Sequence, residues 1–251
     1  MCRFLGYLGP PVTAETLLIK PEFSLLRQSY APRQQQHGRF NADGWGFGWY
    51  DFSLRREPAR YRTRNPMWTD AVFSSIAGLI SSSSMVAAVR SATPGSPIEE
   101  SGTQPFTSGP WLFLHNGTVE GFRQGISVPL KKMLSDERAG GIEGAADSEV
   151  LFALALDQLD AGTPAGEALA AVIRAVMKVS TGRLNLLLTD GERMSATAYG
   201  SSLYTLRDTE RFGGPATIIA SEPFDDGPGW ESVPEGSLVE ATANEIEIQS
   251  L

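Results

Sequence analysis

The feature that most constrains this 251-residue chain is the order in which its apolar patterns change. Short apolar runs bounded by turn residues come first, and they read as strands. Arg3 to Leu8 ends at Gly9-Pro10-Pro11, and Trp45 to Phe52 mixes aromatics with glycine, as a buried strand with close backbone neighbours does. Met85 to Val89 and Trp111 to Leu114 look like core strands. Helical spacing interrupts them over Thr69 to Ile80, through Val72, Phe73, Ile76, Leu79 and Ile80. A second helix starts near Asp147, with Val150, Leu151, Leu154 and Leu159 on its apolar face. A third starts at Thr163-Pro164, a threonine N-cap before a proline at the first helical position. Its face runs Leu169, Val172, Ile173 and Val176, and Gly182 is placed to close it in a left-handed cap. Strands then resume at Leu184 to Thr189, where Asp190-Gly191 signals a two-residue hairpin, and continue at Leu203 to Leu206, Thr217 to Ala220, Ser237 to Glu240 and Glu245 to Ile248. Strands, a helix pair, then strands again, without βαβ alternation, disfavour a parallel doubly wound sheet. They favour an α+β fold of antiparallel sheets with packed helices. The serine run Ser81 to Ser84 and residues 139–144 read as loops within one domain spanning 2–251, with no internal repeat.

Composition excludes several classes. The chain carries 29 acids against 21 bases, a net charge of −8 that argues against nucleic acid as a partner. No run approaches the roughly 20 apolar residues of a membrane helix, and no basic-then-apolar start marks a secretory signal. One cysteine excludes an internal disulfide and fits a reducing, cytoplasmic setting; with two histidines, His37 and His115, it leaves little material for a metal site. No cofactor is expected.

That cysteine is Cys2. Removal of an initiator methionine ahead of a small side chain is expected to leave it N-terminal, with thiol and α-amine on one residue. An unperturbed thiol titrates at about 8.5 and an α-amine at ~7.7–8.0, so the amine can act as general base for its own thiol. A buried small hydrophobe is the competing reading. Acyl transfer also needs amide donors for an oxyanion. His115-Asn116-Gly117, following the strand Trp111 to Leu114, offers a turn with a glycine N–H and an asparagine amide, although strand-ending Asn-Gly turns are common.

Five segments in order then carry a family resemblance. Met1-Cys2-Arg3-Phe4-Leu5-Gly6-Tyr7 resembles the start of class II glutamine amidotransferases, in the N-terminal nucleophile hydrolase superfamily. Asn41 to Phe47 resembles their Gly-rich segment. Arg90 to Gly95 resembles their carboxylate-binding segment, Gln104-Pro105-Phe106 with His115 to Gly117 their oxyanion segment, and Ala146 to Glu149 their acidic segment. The match covers 1 to about 150, and the tail from Ser221 to Gly236 resembles small stand-alone members; the opening from Met1 to Pro10 and the full-length fit resemble the γ-glutamyl hydrolases of bacterial ergothioneine biosynthesis. The resemblance implies a four-layer αββα sandwich, two antiparallel sheets between helix layers. It implies Cys2 as nucleophile, Asn116 and Gly117 as oxyanion holders, Arg90 and Thr93 at a substrate carboxylate, and Asp147 at its ammonium. His115 borders the oxyanion segment in an orienting or packing role.

The function so implied is hydrolysis of a small-molecule γ-glutamyl amide. A glutaminase subunit feeding a separate synthase and a non-catalytic γ-glutamyl-binding protein are the alternatives. Arg90 could instead be a structurally paired arginine, and Asp147 a helix cap. His37 reads as a loop or core histidine, and Arg55, Arg56, Arg60, Arg62 and Arg64 as a solvated hairpin whose last three share a strand face. Trp45, Trp49, Trp68, Trp111 and Trp230 are open to either core packing or binding a cationic leaving group.

Overall fold

A computed structural model describes residues 2–35, 38–93 and 95–251. His37 lies outside the described residues. The chain enters as strand β1 (Arg3–Thr13), followed by helices α1 (Ala14–Leu18) and α2 (Leu25–Tyr30). Strands β2 (Trp45–Trp49) and β3 (Ala59–Thr63), helix α3 (Ala71–Ile76) and strand β4 (Ser81–Val89) come next. Strands β5 (Phe106–Ser108) and β6 (Trp111–Val119) lead to helices α4 (Ser127–Lys131), α5 (Asp136–Gly140), α6 (Asp147–Asp160) and α7 (Ala165–Met177). Strands β7 (Gly182–Thr189), β8 (Met194–Ala198), β9 (Tyr204–Asp208) and β10 (Ala216–Ala220) follow. The last are β11 (Trp230–Ser232), β12 (Ser237–Ala241) and β13 (Ile246–Ser250).

These strands form two antiparallel sheets, ordered β11-β9-β10-β1-β4-β2-β3 and β13-β12-β8-β7-β6-β5. Side-chain alternation along each strand sorts the apolar residues into three cores. Leu5 and Tyr7 of β1 face outward onto α1, α2 and α3, packing with Leu17, Leu18, Leu25 and Phe73. Phe4 and Leu8 face inward and meet Leu112, Leu114 and Leu187 of the second sheet. The second sheet's outer face, with Phe113, Leu186 and Leu188, packs on Leu151, Phe152, Leu169 and Val176 of α6 and α7. Helices, sheet, sheet, helices: this is the expected αββα sandwich of the α+β class. Each fully buried leucine in such a core contributes about 1.5–3 kcal/mol. Glycine on β2 permits the close approach of neighbouring chain. A Cβ at Gly46 would lie 2.4 Å from Gln104 O, and one at Gly48 would lie 2.6 Å from Leu112 Cδ1.

Several local expectations are corrected. β1 does not stop at Gly9-Pro10-Pro11 but continues through a register irregularity to Thr13, and it needs a partner there. That partner is the serine run, which is strand rather than loop: Ser82 pairs with Val12, and its hydroxyl donates to Tyr50 O at 2.6 Å. His115-Asn116-Gly117 is mid-strand rather than a turn, because β7 pairs with β6 as far as Val119. Gly182 opens β7 instead of capping α7, which ends at Met177. Pro164 rather than Thr163 precedes α7, and no side chain caps it. Asp190-Gly191 lies in a longer hairpin loop, since Thr189 pairs with Met194. The helix over Thr69 to Ile80 is confined to Ala71–Ile76, and Val72 and Leu79 are exposed. Of the arginine run, β3 carries Arg60 and Arg62, while Arg64 lies past its end.

Candidate active site

The central position of β1 decides what surrounds Cys2. One neighbour is β4, which ends at Val89 beside Arg3, and the other is β10, which ends at Ala220 beside Leu5. Cys2 is buried, 8% exposed, and its Sγ lies 4.0 Å from Ser91 O just past the end of β4. Arg90 precedes that residue, and alternation turns it inward with Val86 and Ala88. Its backbone is tied to the loop ahead of β2: Arg90 N donates to Gly44 O at 2.8 Å, and Asp43 N donates to Arg90 O at 3.0 Å. The Asp43 carboxylate accepts from Ala92 N at 2.8 Å. The Arg90 guanidinium donates to Asp43 O at 3.3 Å and Pro97 O at 3.2 Å. A Cβ at Gly102 would lie 2.8 Å from its Nη2, so glycine there makes room for the cation.

The second sheet supplies β6. Asn116 faces inward with Leu112 and Leu114, and its Nδ2 donates to Ser221 Oγ at 3.4 Å. Ser221 Oγ also accepts from Phe4 N at 3.0 Å, so one hydroxyl joins the strand that follows Cys2 to Asn116. Asn116 Oδ1 is buried with no hydrogen-bond partner among the described residues. Gly117 admits no other residue: a Cβ would lie 1.7 Å from Arg183 O.

The edge of β6 away from β7 is paired with β5 only as far as Phe113. Beyond that, side chains replace a strand. Gln104 Oε1 accepts from His115 N at 2.6 Å, and Gln104 Nε2 donates to His115 O at 2.7 Å. Two residues beyond Gly117, Val119 N donates to Asp147 Oδ2 at 2.8 Å. Backbone N–H groups alternate between the two edges of a strand. Gly117 N–H therefore points to this edge, between the donors that Gln104 and Asp147 occupy. His115 sits behind, with Nε2 on Arg183 O at 3.0 Å and Nδ1 on Ser148 Oγ at 2.8 Å.

Asp147 opens α6, and its Oδ1 accepts from Ser148 N at 2.8 Å. Together with Thr93, Ser96, Thr118 and Arg183 it lines a cleft of about 280 Å³. Of the seven predicted residues, Thr93 and Asp147 line this cleft. Asn116 is joined through Ser221 to the strand that follows Cys2, Arg90 and Cys2 sit at the adjoining strand ends, Gly117 lies next to Asn116 on β6, and His115 faces α6. The tryptophans lie elsewhere: Trp45 is in the outer core against Phe47 and Phe73, and none of the five lines this cleft. Arg60 and Arg62 line a separate hollow, where burial and then the neighbouring Arg62 lower the Arg60 pKa. Sequence reading missed Gln104 as the clamp on His115, Asp43 as the anchor of Ala92, and Ser221 as the bridge to Asn116. Each belongs to a segment that resembles the family, but a polar side chain serving distant backbone leaves no periodic signal.

Known proteins bear on this site. The chain is 39% identical to the γ-glutamyl-hercynylcysteine sulfoxide hydrolase of Mycobacterium tuberculosis, covering 100% of this chain and 97% of that one. Its namesake from Mycolicibacterium smegmatis is 40% identical, over 96% and 95% of the two chains. Among solved structures, a class II glutamine amidotransferase domain protein from Silicibacter pomeroyi superposes with a TM-score of 0.70 at 23% identity, covering 99% of both chains. The phosphoribosylpyrophosphate amidotransferase of B. subtilis gives 0.66 at 17% identity, covering 99% of this chain and 49% of that one; these two likenesses concern the fold. Residues 17–213 match the family of class II glutamine amidotransferases, and to that family the chain belongs.

Proposed function

We propose that this chain is an amidohydrolase that cleaves γ-glutamyl-hercynylcysteine sulfoxide to glutamate and hercynylcysteine sulfoxide, working as one domain in a reducing cytoplasm. The names and full-length identity of the mycobacterial relatives support that substrate. The observation that carries the chemistry is the side-chain-held edge of β6, which leaves Gly117 N–H between the donors held by Gln104 and Asp147, next to Asn116.

In this reading Cys2, freed of the preceding methionine, attacks the γ-carbonyl while its α-amine takes the thiol proton. Negative charge gathers on the carbonyl oxygen, where Gly117 N–H and Asn116 Nδ2 donate; amides fixed beforehand need no reorganisation as charge develops. The α-ammonium then gives its proton to the departing amine, leaving a thioester that water hydrolyses. The amino-acid head fits the charges around it. Arg90 offers a fork to the α-carboxylate, and Thr93 adds a hydroxyl. Asp147 Oδ2 holds one backbone N–H and retains a lone pair for the α-ammonium, while Oδ1 accepts from Ser148 N and lies 3.4 Å from Ser148 Oγ. His115, engaged at both ring nitrogens, orients β6 rather than moving protons.

The test compares glutamate release from this conjugate with ammonia release from glutamine. We expect the conjugate to be favoured by about tenfold or more in kcat/KM. Equal or better turnover of glutamine would move the reading to an ammonia-supplying glutaminase. Cys2→Ala should abolish turnover of both while the protein stays folded, and persistent binding without turnover in the unmodified protein would indicate a binding protein. Retaining the thiol behind one non-removable residue should slow acylation by roughly 10²–10⁴-fold, the usual cost of losing a general base.

A further inference from the structure

The cleft contains a cation that this mechanism does not use. Arg183 sits on β7, directly opposite Thr118 of β6, and alternation turns it inward with Asn185 and Leu187. Its backbone belongs to the oxyanion framework: Arg183 O accepts from His115 Nε2 and stands against Gly117. Its stem lies along Gly200, where an added Cβ would come within 2.8 Å of Arg183 Cγ. The guanidinium is less well served than the stem. Nε is buried with no acceptor among the described residues, and Nη1 stands 3.7 Å from Glu120 Oε1, too far for a close pair. The side chain is 27% exposed and lines the same cleft as Thr93 and Asp147.

Direction gives this placement meaning. Asp147 and Gln104 hold one edge of β6, and β7 lies along the other. An amide whose head is held at Asp147 and Arg90, with its carbonyl at Gly117, extends its nitrogen substituent away from the head, towards β7. We propose that Arg183 anchors a leaving-group subsite, taking a carboxylate that the departing amine carries. The class of substrate so selected is a γ-glutamyl conjugate of an α-amino acid, whose carboxylate lies two bonds from the scissile nitrogen; glutamine releases ammonia and has no such group. This inference rests on the γ-glutamyl hydrolase reading. Glu120 is the internal competitor for the same guanidinium.

The experiment uses two soluble probes, γ-glutamyl-S-methylcysteine sulfoxide and its decarboxylated counterpart, γ-glutamyl-2-(methylsulfinyl)ethylamide. In wild type, loss of the carboxylate should lower kcat/KM by about 10–150-fold, the span for a hydrogen bond to a charged group, chiefly through KM. Arg183→Met should lose as much on the carboxylated probe and show little further loss on the other; Arg183→Lys should fall between. Glu120→Gln, a change at an exposed side chain, should lower KM for the carboxylated probe only, which a merely structural Arg183 would not produce. Equal use of both probes by wild type, or additive losses in Arg183→Met, would overturn the subsite while leaving the hydrolase reading intact. Failure of wild type to cleave any γ-glutamyl conjugate would overturn both.

Discussion

The two edges of β6 are held in different ways. Toward β7 it runs as an unbroken ladder from Leu112 to Val119, strand against strand, with His115 Nε2 adding a bond to Arg183 O. Toward β5 the ladder stops at Phe113, and beyond it the Gln104 amide and the Asp147 carboxylate take the place of a strand. A strand partner would consume each N–H in turn. Two side chains spaced along the edge hold it while leaving the Gly117 position between them without a strand partner. The difference teaches how a sheet can be both rigid and equipped: one edge supplies stiffness, and the other supplies a donor.

The comparison can be broken most severely at Gly117, where both edges meet. Gly117→Ala forces a methyl to within 1.7 Å of Arg183 O, so β6 and β7 must separate. We expect a loss of about 3 kcal/mol or more in urea unfolding, together with loss of activity. Gly140→Ala, at the end of α5 with open space around it, should be neutral or stabilise by up to about 1 kcal/mol. A similar small effect at Gly117 would refute the close packing of the ladder.

Next comes the side-chain edge. Gln104→Leu leaves the N–H and C=O of buried His115 unpaired and should cost about 2–4 kcal/mol, with a lower kcat as Gly117 shifts. An unfolding curve within error of wild type would mean that Gln104 does not hold this edge. Asp147→Asn separates holding from binding. Its amide oxygen can still accept from Val119, so stability should change by less than about 1 kcal/mol. Its charge is gone, so kcat/KM on γ-glutamyl substrates should fall by about 10–150-fold. That loss should shrink with a substrate lacking the α-amine; an undiminished loss would place the ammonium elsewhere. Ser148→Ala removes only the hydroxyl beside His115 Nδ1 and should cost about 0.5–1.5 kcal/mol, with turnover nearly kept. A large fall in kcat there would give His115 a more direct part than orientation.

Sequence reading was strongest where one residue type does one job. Cys2 is the lone thiol, and the alternation of Phe4 and Leu8 against Leu5 and Tyr7 places them on opposite faces of β1. The helix pair from Asp147 to Met177 was visible because its apolar spacing persists for several turns. It failed where distant pairing overrides local preference. Asn116-Gly117 carries a turn signature, yet β7 keeps it extended, and Ser81 to Ser84 lacks hydropathy contrast, yet the far half of β1 recruits it. The exposed Val72 and Leu79 show the converse, since periodicity finds a helix without saying how long it runs or what covers it. Gln104 makes a pair of hydrogen bonds to His115, 11 residues away, and Ser221 Oγ bonds Asn116 and Phe4, 105 and 217 residues away, which local pattern does not encode.

The inter-sheet core beneath Cys2 has a kinetic consequence. Phe4, Ala88, Leu114, Leu187 and Ile219 are nearly or wholly buried there, so the layer behind Cys2 is packed solid with apolar side chains. For the thioester chemistry proposed above, water arrives by the route along which the amine departs. The first product must clear that passage before hydrolysis begins, and glutamate leaves last. Steady-state kinetics should therefore follow a ping-pong scheme. An added amine that enters the emptied passage should compete with water for the acyl group and yield a new γ-glutamyl amide.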